Sequence, residues 1–178
     1  RAVDSALKSL STLEKPVISM IHGFCMGGGC SVAVMCDLRL CADDARFGIP
    51  AARLGIAYPL ERGVERLVHI VGVSNATEIL LTAQRYNAEE AAHMGLVNRV
   101  LPKAELESYT REYATKLADN APLSVAAHKF SVRESAKAAT LRDMDKVRAW
   151  STRCFGSADY QEGVKAFMEK RRPRFQGK

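Results

Sequence analysis

Three consecutive glycines, Gly27 to Gly29, stand between two apolar runs in the segment IHGFCMGGGCSVAV (residues 21–34). Glycine destabilises the interior of a helix or strand, so three together suggest that a bare backbone is needed here. The first turn of a helix leaves backbone N–H groups without intrahelical partners and carries partial positive charge. A strand, a glycine turn and a helix in this order therefore predict a backbone site for an anion or a developing oxyanion. A tight turn or close helix packing is the alternative, although one or two glycines would suffice for either.

The glycine segment does not match the common nucleotide-binding motifs. It lacks the GxGxxG spacing, and no GK[ST] follows it, which argues against a dinucleotide site and against a P-loop. A nucleophilic role for Ser31 has to be considered, with His22 as the nearest base in the sequence, but Ser31 is not in a G-x-S-x-G elbow. We interpret Ser31 as a small buried residue on a helix.

The segments around the glycines predict alternating strands and helices up to Pro102. Strands are predicted from short β-rich or alternating runs, and the apolar run CSVAVMC predicts a helix that is buried on all sides. The run NAEEAAHMG carries an Asn87-x-x-Glu90 opening and a glycine stop, which predict a short helix. Strands are predicted at 16–21, 37–42, 45–50 and 96–102, and helices at 30–36, 62–72, 74–84 and 87–95. Such alternation favours a parallel sheet.

After Pro102 the sequence predicts helices only, at 103–119, 122–138, 140–155 and 158–171. This shift divides the chain into an α/β core over residues 1–102 and a helical region over residues 103–178.

Composition limits the classes of protein to consider. The chain has 178 residues, of which 47% are hydrophobic and 26% charged, as in soluble globular domains. Its five cysteines lack CxxC spacing and its four histidines are scattered, so we expect reduced thiols, a cytoplasmic location and no metal site. No stretch is long and apolar enough to span a membrane. Because the chain begins without Met and inside a helical pattern, we expect that an upstream segment precedes it.

Three separated segments carry a resemblance to a known family. They are KPVISMIHGFCMGGGCSVAVMCDLRLCADDARFGIPAARLGI, LLTAQRYNAEEAAHMGLVNRVLP and SADYQEGVKAFMEKRRPRF, and together they cover nearly the whole chain. In this order they resemble the crotonase superfamily, the enoyl-CoA hydratase/isomerase family. The resemblance implies a crotonase-like α/β fold, with the spiral ββα core of ClpP and crotonase and a helical C-terminal region for oligomerisation. The opening third of the family, which supplies one oxyanion N–H group, has no counterpart here, so residues 1–102 match the C-terminal part of the core.

The resemblance also implies a chemistry. Members of the family bind an acyl-CoA thioester and polarise its carbonyl with two backbone N–H groups, which stabilises an enolate-like intermediate. The match places one of these donors at Gly28, with Gly27 beside it in the substrate site. Coenzyme A belongs to the substrate, and the resemblance implies neither a separate cofactor nor a metal.

Two positions depart from the pattern of the family's hydratases. Where those enzymes have a catalytic pair of Glu residues, this chain has Ser31 and Ala51, and neither side chain can do acid–base work at neutral pH. In the loop AYPLERGVERL (57–67), Glu61 is a candidate for a relocated acid or base, and Tyr58 for a hydrogen-bond donor to substrate. The alternative for Glu61 is a solvated ion pair with a neighbouring arginine.

The last predicted helix supplies candidate contacts to coenzyme A. The match with the family places Phe167 near the adenine and Lys170 near a phosphate, while packing and solvation are the respective alternatives. The family assembles as trimers or paired trimers, so we expect a homo-oligomer. The basic run EKRRPRFQGK (169–178) is interpreted as a solvated tail, and we expect neither an RNA partner nor a membrane partner.

These observations predict an acyl-CoA-processing enzyme of the hydratase (lyase) or isomerase type, acting in fatty acid metabolism. Because both usual carboxylates are missing, we expect a route other than standard hydration by a pair of Glu residues. The alternative is a non-catalytic protein of the same fold that binds acyl-CoA or acts in assembly.

Overall fold

A computed structural model of the chain describes residues 2–60 and 63–178. The helices are α1 (Ala2–Thr12), α2 (Gly28–Met35), α3 (Val64–Thr82), α4 (Ala88–His93), α5 (Leu106–Ala118), α6 (Pro122–Ser135), α7 (Met144–Phe155) and α8 (Ala158–Met168). The strands are β1 (Ile18–Ile21), β2 (Phe24–Met26), β3 (Leu38–Ala42), β4 (Arg46–Gly48), β5 (Tyr86–Asn87) and β6 (Arg99–Leu101). Short 3-10 turns follow β4 at Pro50–Leu54 and α6 at Ala139–Leu141.

The chain folds as two units. The core unit comprises Arg1–Leu13 and Val17–Arg111, and the helical unit comprises Glu14–Pro16 and Glu112–Lys178. The boundary falls inside α5, beyond the composition change at Pro102. The role of residues 103–178 in oligomerisation stays a prediction.

Two small sheets organise the core unit. Strand β3 pairs in parallel with β1 and with β6, and β2 pairs in parallel with β4. Strand β5 adds to β4 in the antiparallel direction. The expected parallel pairing is therefore confirmed for these ladders, and β5 is the antiparallel exception.

Helix α2 lies in the apolar core of this unit. Its buried side chains include Cys30, Ala33 and Val34. Strand β3 contributes Leu40 and Cys41 to the same unit, and each of these two residues is at most 1% exposed. The sequence predicted burial of this apolar helix on all sides, but Val32 is 45% exposed, so one face of α2 reaches the surface of the chain. The core therefore fixes α2, and with it the glycines at its N-terminus.

Two helix signals in the sequence correspond to features of α3 and α4. The two helices predicted at 62–72 and 74–84 form one element, α3, which is interrupted by Gly72 at φ 77° and ψ 166°. At the start of α4, the Asn87 side chain accepts the Glu90 N–H at 2.9 Å, and the Glu90 carboxylate accepts the Asn87 N–H at 2.7 Å. This reciprocal pair is the capping box that the sequence predicted.

Helices α6 and α7 form the apolar centre of the helical unit, around Leu123, Ala127 and Trp150. A buried carboxylate, Glu134, closes the end of α6 by accepting Lys137 Nζ at 2.6 Å and the Asp143 N–H at 2.8 Å. These two bonds lower the pKa of Glu134 despite its burial. Among the described residues, no helix combines the length and the apolarity needed to cross a bilayer.

Candidate active site

The three glycines form the turn between β2 and α2. Gly27 has φ 50° and ψ −111°, a backbone conformation that strains any residue with a side chain. Its N–H donates to the Gly48 carbonyl at 2.8 Å, and its own carbonyl accepts the Ser31 N–H at 3.1 Å, which begins the helix. The turn is thus tied to β4 on one side and to α2 on the other.

Gly28 is the first residue of α2 and faces open space. In the described part of the chain, no hydrogen bond uses the Gly28 N–H, as expected at the first position of a helix. A Cβ atom built on Gly28 would meet no atom within 4 Å, whereas one on Gly29 would lie 3.9 Å from Cys25 Sγ. A ligand carbonyl can therefore approach the Gly28 N–H, which the helix dipole makes more positive.

Tyr58 borders the same turn. Its hydroxyl lies 3.3 Å from the position that a Cβ on Gly27 would occupy, and its half-buried ring packs against the core. Tyr58 and Ser31 both line a cavity of about 10 Å³, which has room for about one water molecule. The structure thus brings together Gly27, Gly28, Ser31 and Tyr58.

The two positions that carry carboxylates in the family's hydratases are both buried. Ser31 is 5% exposed on α2, and Ala51 is 6% exposed in the 3-10 turn after β4. The backbone of Gly63 packs against α2 beside Ser31, since a Cβ built on Gly63 would lie 2.9 Å from Val34 Cγ2 and 3.7 Å from Ser31 Cα. This close approach leaves little space for a longer side chain at position 31.

Gly48 and Gly63 are residues of the site that our sequence analysis did not single out. A Cβ on Gly48 would lie 2.8 Å from both the Gln84 carbonyl oxygen and Met26 Cε, so only glycine fits there. Gly63 has φ 103° at the start of α3. The sequence signal for Gly48 was the FGIP segment, and the signal for Gly63 was a single glycine before a helical pattern. Neither signal shows the close contacts of these glycines, because the contacting residues are distant in the sequence.

Cysteine side chains underlie the turn. Cys30 Sγ donates to the Cys25 carbonyl at 2.7 Å and lies 3.5 Å from the Gly48 carbonyl oxygen. The hydrogen bond with the Cys30 side chain, together with burial, raises the pKa of Cys25, and burial raises the pKa of Cys41 to about 11. Cys25 and Cys41 are therefore protonated at neutral pH and pack as small apolar groups.

The other predicted site residues are Glu61, Phe167 and Lys170. Glu61 lies outside the described residues. Phe167 and Lys170 belong to the helical unit, where Phe167 is 82% exposed and lines an apolar groove of about 510 Å³ in that unit. Lys170 is an exposed residue just beyond α8.

Parallel ladders joined to a glycine turn and a buried helix define a crotonase-like α/β protein. The chain superposes with a TM-score of 0.93 on an enoyl-CoA hydratase from Bacillus anthracis, at 31% identity over 99% of this chain and 68% of that one. The sequence model of the enoyl-CoA hydratase/isomerase family matches residues 1–178, and the chain belongs to this family.

Curated relatives agree with this assignment. The chain is 37% identical to a short-chain-enoyl-CoA hydratase of Clostridium acetobutylicum, over 95% of this chain and 64% of the relative. It is 36% identical to a peroxisomal Δ(3,5)-Δ(2,4)-dienoyl-CoA isomerase of Arabidopsis thaliana, over 98% of this chain and 63% of the relative. The chain thus spans less than two thirds of the length of these two relatives.

Proposed function

We propose that the protein processes acyl-CoA thioesters by stabilising the enolate form of the thioester at the backbone N–H of Gly28. The observation that carries this proposal is the open space around Gly28, where a helix N-terminus presents a donor without a described partner. Donors that are fixed before the reaction and aimed at developing negative charge are often the largest single contribution to catalysis.

We further propose that the reaction does not use a pair of Glu residues as acid and base. Ser31 and Ala51 occupy the corresponding positions, and the packing of Gly63 beside Ser31 restricts what that position can hold. The Tyr58 hydroxyl lies 3.3 Å from the position that a Cβ on Gly27 would occupy, and we assign it a hydrogen bond to the bound substrate. Glu61 remains our candidate for a relocated acid or base.

The names of the relatives suggest the range of substrates to test. A crotonyl-CoA hydratase of Syntrophomonas wolfei and carnitinyl-CoA dehydratases of Escherichia coli and Proteus mirabilis are 37% to 38% identical to this chain. We propose a homo-oligomer, a trimer or paired trimers, in which Phe167 and Lys170 contact coenzyme A. The five cysteines, which form no disulfide in the described part of the chain, support a reducing, cytoplasmic setting.

Binding and turnover should be measured on the intact protein. We expect micromolar to millimolar binding of crotonyl-CoA, turnover of at least one acyl-CoA in a broad screen, and weak or absent hydration of crotonyl-CoA. Hydration at the rate of Glu-bearing relatives would contradict the proposed route, and failure to bind any acyl-CoA would contradict the function itself.

A non-catalytic acyl-CoA-binding protein is the second candidate. The observation that favours it is the burial of Ser31 and Ala51 as uncharged side chains where the family's hydratases carry carboxylates. Tight binding without turnover of any acyl-CoA in the same screen would support this candidate over the enzyme.

A further inference from the structure

One face of the sheet formed by β2, β4 and β5 carries a row of side chains that the proposed reaction does not use. Phe24 on β2 is the register partner of Arg46 on β4, and Arg46 is the partner of Asn87 on β5. Paired residues on neighbouring strands lie on the same face of a sheet. Arg85, just before β5, joins this row, because its Cζ atom lies 5.6 Å from the centre of the Phe24 ring.

This row faces away from the core. The residues that alternate with it, Cys25, Phe47 and Tyr86, are all buried in the core, as the period of a strand requires. The Phe24 side chain, in contrast, is 72% exposed. A single exposed apolar residue is ordinary on a protein surface, but this ring lies beside two cations. We call Phe24, Arg46, Arg85 and Asn87 the outer row.

The two arginines of the outer row have donors to spare. Arg46 Nη1 donates to the Ala45 carbonyl at 2.8 Å, which fixes the side chain and leaves its other N–H groups available. Among the described residues, no carboxylate forms an ion pair with Arg46 or with Arg85. Guanidinium groups of this kind bind phosphate through two parallel hydrogen bonds.

The outer row lines a cavity of about 380 Å³, together with Glu90. This volume is in the range of pockets for small molecules. One carboxylate oxygen of Glu90 accepts the Asn87 N–H at 2.7 Å, and the other can accept a hydroxyl group. Two cations and one anion therefore leave a net positive cavity with an aromatic side chain and one acceptor for hydroxyl groups. Gly28, Ser31 and Tyr58 are not among the described residues that line it.

We propose that the outer row binds a nucleoside phosphate, separately from the acyl-CoA substrate. Arg46 and Arg85 hold the phosphate, and the exposed ring of Phe24 stacks on the base, as aromatic side chains do in other nucleotide sites. Glu90 accepts a ribose hydroxyl, the role that an acidic residue has in dinucleotide sites. The inference does not depend on the proposed function, because it requires no thioester.

The test is calorimetric titration of the intact protein with AMP. We expect a Kd below about 1 mM, and binding at least about tenfold weaker for adenosine, which lacks the phosphate, and for ribose 5-phosphate, which lacks the base. Arg85→Ala should weaken AMP binding about tenfold, and Phe24→Leu about three- to tenfold. The matched control is Arg111→Ala, which removes an exposed arginine of α5 and should leave AMP binding unchanged.

Crotonyl-CoA distinguishes this site from the place where the nucleotide of coenzyme A binds. Its affinity should be unchanged in Arg85→Ala and Phe24→Leu. If both variants weaken crotonyl-CoA as much as AMP, the outer row contacts the substrate and a separate site is excluded. Absence of AMP binding, or AMP binding that neither variant alters, would overturn the proposal. A lower oligomeric mass of Arg85→Ala would identify this face as an interface between copies of the chain and would also overturn it.

Discussion

Gly27, Gly28 and Gly29 are the same residue type, but they differ in backbone conformation and in the space around them. Gly27 needs its backbone conformation, because φ is 50° and the Tyr58 hydroxyl lies beside it. At Gly28 a side chain would not clash with the protein, because no atom lies within 4 Å of a Cβ built there. At Gly29 a Cβ would make only an ordinary van der Waals contact with Cys25. The absence of a side chain at Gly28 therefore serves access of a ligand to the backbone, which makes it the residue to alter first.

Gly28→Ala should separate folding from function. A methyl group fits without a clash and alanine favours a helix by about 1 kcal/mol, so Tm should stay the same or rise by a few degrees. The methyl group would stand where the thioester carbonyl approaches, so turnover should fall about 100-fold. Gly29→Ala is the matched control, with a similar Tm and nearly full activity. Equal activity of the two variants, measured on the substrate found in the screen, would contradict the assignment of Gly28.

Ser31→Glu tests whether a hydratase carboxylate can simply be restored. The position is 5% exposed, and the cavity beside it measures about 10 Å³, far too small for an added carboxylate. We expect a loss of about 2 kcal/mol or more from overpacking and from burial of a charge, seen as a fall in Tm of about 4 °C or more. Ser31→Ala should be nearly neutral. A Ser31→Glu variant with wild-type Tm would show that the segment around Gly63 yields to the carboxylate.

At the scale of elements, local chemistry predicted some features well and missed others. The capping box at Asn87 and Glu90 was predicted because both partners lie within one turn of helix. Strand β2 was missed because three residues give no alternation, and its pairing with β4 is between segments about 20 residues apart in the sequence. Helix α2 begins at Gly28 rather than at Cys30, since glycines read as a turn until the core fixes the helix. The packing of Gly63 on α2 was equally invisible, because it depends on a tertiary contact.

The attachment of Arg171 and Arg174 to the Glu162 carboxylate on α8, by hydrogen bonds of 2.6 to 2.9 Å, should depend on acid pH. The pKa of Glu162 falls from 4.5 to about 2 in the folded protein, because Arg171 and the Arg174 N–H favour its charged form. A depressed pKa stabilises the fold above the unfolded value, and this contribution is lost as pH falls from about 4.5 towards 2. Glu162→Gln should therefore lower Tm at pH 7, and the difference from wild type should shrink at pH 3.

The control for this effect is Glu107→Gln. It removes an exposed ion pair with Arg111, 2.8 Å long, which stabilises the fold little. Thermal unfolding should give nearly the same Tm as wild type at both pH values. If Glu162→Gln lowers Tm as much at pH 3 as at pH 7, the result would contradict a stabilising ion pair between Glu162 and Arg171.

At the scale of the whole molecule, the candidate residues are divided between two units. Gly28, Ser31 and Tyr58 lie in the core unit, and Phe167 and Lys170 lie in the helical unit. The helical unit also exposes large apolar side chains: Phe155, Val164, Phe167 and Met168. Apolar surface of this kind is typical of interfaces between subunits, which agrees with the expectation of a homo-oligomer.

Self-association can be tested on the intact protein by light scattering coupled to size-exclusion chromatography. We expect a mass of three or six chains, as in the family. Val164→Glu, on the exposed face of α8, should shift the mass towards a single chain, because it places a charge in an apolar interface. Lys116→Glu, at an exposed position of α5, is the matched control and should leave the mass unchanged. A single-chain mass for the wild type would contradict the expectation.

The buried thiols of Cys25 and Cys30 can be used to measure how often the glycine turn opens to solvent. Cys25 and Cys30 flank the three glycines, both are buried, and neither forms a disulfide. An alkylating reagent can reach these sulfurs when the turn opens, so their rate of modification counts opening events at the place where the substrate carbonyl is proposed to bind. A bound acyl-CoA that closes the turn would slow this labelling, which converts occupancy of the site into a mass-spectrometric signal that needs no turnover.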